Sequence, residues 1–136
     1  MTVFVAMGKR SVVPSNATPA ELVDAYFAAF AARDFDALRA CLSDGPFSHR
    51  SPIATIKDAD TFAAYISRIG PVLEGIARRR TFVDGDEVCA IVDYRIRLSD
   101  LMEVPVAIWF KVAGNRIVAL ETFFDASEYR RMIDVS

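Results

Sequence analysis

Val88-Cys89-Ala90-Ile91-Val92-Asp93-Tyr94-Arg95-Ile96-Arg97-Leu98 is the stretch whose reading decides the fold. With a period of two, Val88, Ala90, Val92, Tyr94, Ile96 and Leu98 share one face, while Cys89, Ile91, Asp93, Arg95 and Arg97 share the other. That is a long strand with one core face. Three further runs, Ala77 to Val83, Val104 to Val112 and Ile117 to Phe124, are equally rich in β-branched and aromatic residues. Asp84-Gly85-Asp86, Ser99-Asp100 and Gly114-Asn115 join them as turns. Connections this short leave no room for crossover helices, so the four strands form an antiparallel meander.

Upstream the period changes to that of helices. Thr18-Pro19-Ala20-Glu21 supplies an N-cap hydroxyl, a proline at the first helical position and a carboxylate at the third. Leu22, Tyr26, Phe27, Phe30 and Ala31 then form an apolar stripe. Asp34 caps a second short helix carrying Phe35, Leu38, Cys41 and Leu42, and Asp58 caps a third with Phe62, Tyr65, Ile66 and Ile69 on one face, ended by Gly70-Pro71. Phe47 to Pro52, between the second and third helices, is either an edge strand or a loop at a pocket rim. The expected fold is α+β: three N-terminal helices packed on a strongly curved antiparallel sheet, in the order α-α-β-α-β-β-β-β. Residues 18–136 form its single domain after an arm at 1–17, and Glu128, Tyr129, Met132 and Ile133 suggest a closing helix.

Composition narrows the function. The 136 residues carry a formal charge of −2 and are 53% hydrophobic, which describes a compact globule and argues against a nucleic-acid partner. No run approaches the length of a membrane span, and the N-terminal apolar stretch lacks the basic region of a signal peptide, so a cytoplasmic protein with no membrane partner is expected. One histidine and two distant cysteines, Cys41 and Cys89, make neither a zinc site nor a disulfide framework; no metal and no cofactor are implied.

The helical opening Glu21-Leu22-Val23-Asp24-Ala25-Tyr26-Phe27 through Asp34-Phe35-Asp36-Ala37-Leu38, with the ending Asn115-Arg116-Ile117-Val118-Ala119-Leu120-Glu121-Thr122-Phe123-Phe124-Asp125, resembles the nuclear transport factor 2-like superfamily, and within it the SnoaL-like branch. The resemblance covers roughly Pro19 to Ile133. It implies a cystatin-like cone between sheet and helices that holds a small molecule. Its members range from ketosteroid isomerases, epoxide hydrolases and polyketide cyclases to non-catalytic binding or dimerisation modules, so fold alone names no reaction.

Carried over residue by residue, the resemblance puts Tyr26 where the isomerases keep an oxyanion-hole tyrosine. The isomerase base would fall near His49, Arg50 or Ser51, where no carboxylate stands and His49 substitutes as a base. The second oxyanion donor would fall near Ile108, which cannot donate. The hydrolase and cyclase aspartate aligns with Thr122, and the hydrolase Arg-Asp pair corresponds loosely to Asp93 and Arg95 in reversed order.

Two readings follow, one catalytic and one not. In the first, a lyase, cyclase or isomerase acts on an apolar carbonyl or aromatic substrate with His49 as base, Tyr26 as hydrogen-bond donor and Asp93 as a third catalytic candidate. In the second, the chain binds a ligand or dimerises without catalysis. Either way the ligand-binding residues are Phe30, Arg50, Phe62, Tyr65, Ile69, Ile108, Phe110, Leu120, Thr122 and Phe124. As a buried pair Asp93 and Arg95 would mark a site, but the favoured reading is an exposed or dimer-face pair that contributes little stability. Arg78-Arg79-Arg80 is either a solvated edge or a source of one cation for an acidic ligand group. The face carrying Trp109, Phe123 and Ile91 is too apolar for water, which suggests a homodimer through the outer sheet face.

Overall fold

The computed structural model describes residues 16–127. The closing helix expected over Glu128 to Ile133 lies outside them, as does all but the end of the N-terminal arm.

Helix α1 (Pro19–Ala31) starts at a capping box: the Glu21 amide donates to Thr18 Oγ1 at 3.1 Å, and the Thr18 amide to Glu21 Oε1 at 2.9 Å. Helix α2 (Phe35–Ala40) is capped by Asp34, which accepts from the Ala37 amide at 3.1 Å. After it come two short strands, β1 (Ser48–Arg50) and β2 (Thr55–Ile56). Helix α3 (Ala59–Ser67) is capped by Asp58, which accepts from the Thr61 amide at 2.8 Å. A 3-10 turn (Gly70–Val72) leads into β3 (Leu73–Asp84), followed by β4 (Glu87–Arg97), β5 (Leu101–Ala113) and β6 (Arg116–Phe123). The β5–β6 turn places both Gly114 (φ 58°) and Asn115 (φ 62°) in the left-handed region, as a two-residue primed hairpin turn requires.

The six strands form one sheet in the order β2-β1-β6-β5-β4-β3. Two features differ from the sequence expectation. Phe47 to Pro52 is neither edge strand nor loop: its core, β1, sits between β2 and β6, and the two-residue β2 takes the edge. The sheet is also not purely antiparallel, because β1 runs parallel to β6, with His49 opposite Leu120. A parallel pair needs a long connection, and the chain from α3 through β5 supplies it. Register shifts at Leu73/Gly75, Arg78/Arg80 and Lys111/Val112 bend the strands around the helices.

The core fills the end of the cone beneath α1. Tyr26 and Phe27 meet Phe110 edge-on at 5.3 and 5.7 Å, and Phe30 meets Tyr94 at 5.6 Å. Arg33, itself at a positive φ of 58°, donates from Nε to the Gly70 carbonyl at 2.8 Å and from Nη2 to the Leu73 carbonyl, fastening the helical hairpin to the start of β3. No helix among the described residues is long and apolar enough to cross a membrane.

Candidate functional site

The inner face of a strand says which side chains point toward the helices, and the helices decide which of those meet a cavity. Tyr26 and Phe27 of α1 pack edge-on against Phe110 of β5, whereas Val104 and Val106 farther up the same strand face residues of α3 across open space. Between them lies a cavity of about 410 Å³. Its walls are Tyr26 from α1; His49 and Ser51 from β1 and its continuation; Phe62, Tyr65, Ile66, Arg68, Ile69 and Val72 from α3 and the turn after it; Tyr94, Ile96 and Leu98 from β4; Val104 and Val106 from β5; and Thr122 and Phe124 from β6 and its end. The lining is mainly apolar and aromatic and, among the described residues, contains no carboxylate. That suits a small, largely uncharged organic body.

His49 is the one buried polar residue of the described core, 3% exposed. Strand β1 drives it inward, and its ring lies 4.7 Å from that of Phe62 and 6.0 Å from that of Tyr65. Nε2 is 3.4 Å from Thr122 Oγ1, and Nδ1 has no hydrogen-bond partner among the described residues. Burial among these rings lowers its pKa from the ordinary 6.5 to about 4, so the imidazole is neutral at physiological pH. Burial likewise raises the phenols of Tyr26 and Tyr94, with Tyr94 near Tyr26 and Tyr65 near Tyr94 adding to it, so both keep their protons.

Seven of the sequence candidates meet at this cavity: Tyr26, His49, Phe62, Tyr65, Ile69, Thr122 and Phe124. Six do not. Phe30, Ile108, Phe110 and Leu120 point inward as expected but are buried in the core beneath α1, at 3% exposure or less. Asp93 lies on the opposite face of β4 from Tyr94, where Arg79 Nη1 pairs with it at 3.4 Å; it does not touch the cavity. Arg50, next to His49, points away from it, exposed and 3.4 Å from Glu121 on the outer face. Of the triple arginine, Arg78 pairs with Asp24 at 3.1 Å and lies over Phe27, and Arg80 lies over Phe82, so none of the three faces the cavity.

Alternation puts Tyr94, Ile96 and Leu98 on the core face of β4 but carries no sign that they meet a cavity rather than packed side chains. Arg68 and Val72 carried no signal, since their position depends on how the chain leaves α3 through Gly70-Pro71.

A curved sheet roofed by three helices over an aromatic cavity is the nuclear transport factor 2-like architecture. Residues 23–120 match the SnoaL-like domain model, and the chain belongs to that family. Among solved structures it is similar to an NTF2-like protein of unknown function from Burkholderia pseudomallei K96243 (17% identity, TM-score 0.74, covering 85% of this chain and 96% of that one). It is also similar to an LEH-like epoxide hydrolase from M. tuberculosis (21% identity, TM-score 0.70, 80% and 84% covered). A third is a hypothetical protein with a ketosteroid isomerase-like fold from Catenulispora acidiphila DSM 44928, in complex with trimethylamine (19% identity, TM-score 0.69, 80% and 88% covered). At these identities the likeness is one of fold. No curated protein matches the chain.

Proposed function

We propose that this protein binds one apolar or aromatic small molecule in the cavity and anchors its buried end by a hydrogen bond to His49. The observation that carries the reading is the Nδ1 of a neutral histidine, 3% exposed, with no partner among the described residues, in the wall of a mainly apolar cavity. A buried polar atom left unpaired costs about 1–3 kcal/mol, and a ligand hydroxyl or carbonyl offsets that cost. Which kind it is follows from the tautomer: if Nε2 accepts from Thr122, Nδ1 donates, and if Nε2 donates, Nδ1 accepts. The test is calorimetric titration with hydroxylated aromatics and steroid-like ketones against the native protein and His49→Phe. Binding that weakens about tenfold in the variant supports the reading; binding unaffected by it removes His49 from the site.

A catalytic version of the same site is supported by Tyr26 and His49 lining one cavity. A neutral imidazole can take a proton from the carbon next to a carbonyl while the protonated Tyr26 phenol donates to the developing enolate, which is isomerase, cyclase or lyase chemistry. A base with a pKa of about 4 is weak, so the substrate must carry an activated proton. Reactions that need two carboxylates have no support in this lining. Proton exchange into a bound ketone, followed by NMR in deuterated buffer and lost in both His49→Gln and Tyr26→Phe, is the expected sign of turnover; binding without exchange leaves the non-catalytic reading.

The outer sheet face supports a homodimer. Trp109 and Phe123 are exposed there, on adjacent strands. Trp109→Lys is expected to convert a dimer to a monomer in light scattering. Two free thiols suit a reducing, cytoplasmic setting.

A further inference from the structure

Five arginines of the described surface, Arg39, Arg50, Arg78, Arg79 and Arg97, each have a carboxylate partner. Arg68, like Arg33, Arg80, Arg95 and Arg116, has none among the described residues, and of these five it alone contributes to the cavity wall. It is exposed at the C-cap of α3 and contributes to the wall of the cavity, which contains no other formally charged residue among the described ones. Its place at a helix C-terminus suits the dipole, a role any cation there fills. Its place in the cavity wall does more: among the described residues the one fixed charge a ligand meets is positive, and no acidic side chain of the lining offsets it.

Geometry separates this charge from His49. Phe62, whose ring packs on His49, precedes Arg68 by six residues on the same helix, which is about 9 Å along the axis. We infer that the ligand is an apolar carboxylic acid with two polar ends: a hydroxyl or carbonyl that meets His49 inside, and a carboxylate that pairs with Arg68 at the mouth. The inference rests on the binding reading above and adds the ligand's charge and span. A guanidinium matches a carboxylate with two parallel hydrogen bonds, and a ligand ammonium in the same place is repelled.

The test is a series of 4-hydroxyphenyl alkanoic acids with three-, five- and seven-carbon chains, each titrated beside its primary amide into the native protein, Arg68→Gln and Arg68→Lys. Exposed as it is, Arg68 tolerates both substitutions without loss of fold, which circular dichroism checks. The expected result is an acid bound about tenfold more tightly than its amide, a preference that disappears in Arg68→Gln and persists in part in Arg68→Lys. Equal binding of acid and amide, or a preference that survives Arg68→Gln, overturns the inference while amide binding keeps the cavity reading intact. Failure of both acid and amide to bind overturns the two together.

Discussion

His49 Nε2 and Thr122 Oγ1 stand 3.4 Å apart across the parallel pairing of β1 with β6, a long and therefore weak contact for a buried histidine. It leaves the imidazole held more by the rings of Phe62 and Tyr65 than by hydrogen bonds. Its behaviour under acid follows. The folded pKa, about 4, lies below the ordinary 6.5, so the unfolded chain binds the extra proton first. The neutral His49 therefore costs no stability above about pH 6.5, and stability falls as pH drops from there toward 4. The loss approaches about 3 kcal/mol. Denaturant melts of native protein and His49→Phe between pH 7 and 4 are expected to diverge by that amount, with the native protein the more acid-sensitive.

Thr122→Asp puts a carboxylate where the hydroxyl now meets Nε2. An opposite charge at this distance favours the imidazolium. The pKa of His49 is expected to rise by one unit or more. Because the chain has a single histidine, its ring-proton NMR signal reports the titration without assignment. An unchanged midpoint refutes the placement of the two side chains.

Gly70 abuts Phe35: a Cβ built on it comes within 3.0 and 3.1 Å of two ring carbons. Gly70→Ala is expected to lower stability by about 1–2 kcal/mol through overpacking, measured by urea denaturation. Phe35→Leu in the same chain makes room and recovers part of the loss.

The two thiols differ in reach. Cys41 is 1% exposed, and burial raises its pKa to about 11; Cys89 is partly exposed on the outer face of β4. An aromatic disulfide reagent at pH 8 is expected to modify one thiol per chain quickly and the second only on unfolding. Cys89→Ser abolishes the fast phase.

Core and cavity residues on one strand separate by their cost. Phe110→Ala empties a fully buried site and is expected to lose about 3–5 kcal/mol. Val104→Ala enlarges an existing cavity and is expected to cost less while changing ligand selection. Paired thermal and binding measurements distinguish the two.

Local chemistry made much of this fold legible. Thr18, Asp34 and Asp58 are caps because their side chains reach amides three residues on, and the alternation in β4 follows from the pleat. Distant pairing was not legible in the same way. Nothing near Ser48–Arg50 announces that β6 is its neighbour, so the strand read as an edge or a loop. The site divided along the same line. Alternation told that Ile108 and Phe110 face inward, but only the path of α1 decides that they meet helix rather than cavity. Arg68 lay outside every periodic pattern, and Asp93 was drawn in by a resemblance that its outward face does not support.

The parallel seam between β1 and β6 also sets the order in which the cavity can exist. His49 and Thr122 are separated by 73 positions, and β6 is the last described strand. During synthesis the first three helices and the β3–β5 meander emerge before the strand that seats His49 against Thr122. Closing so long a loop carries an entropic penalty that only the finished sheet repays. Ligand binding thus reports completion: a nascent chain halted before Arg116 can hold most of the wall yet lacks the seam that presents its only imidazole.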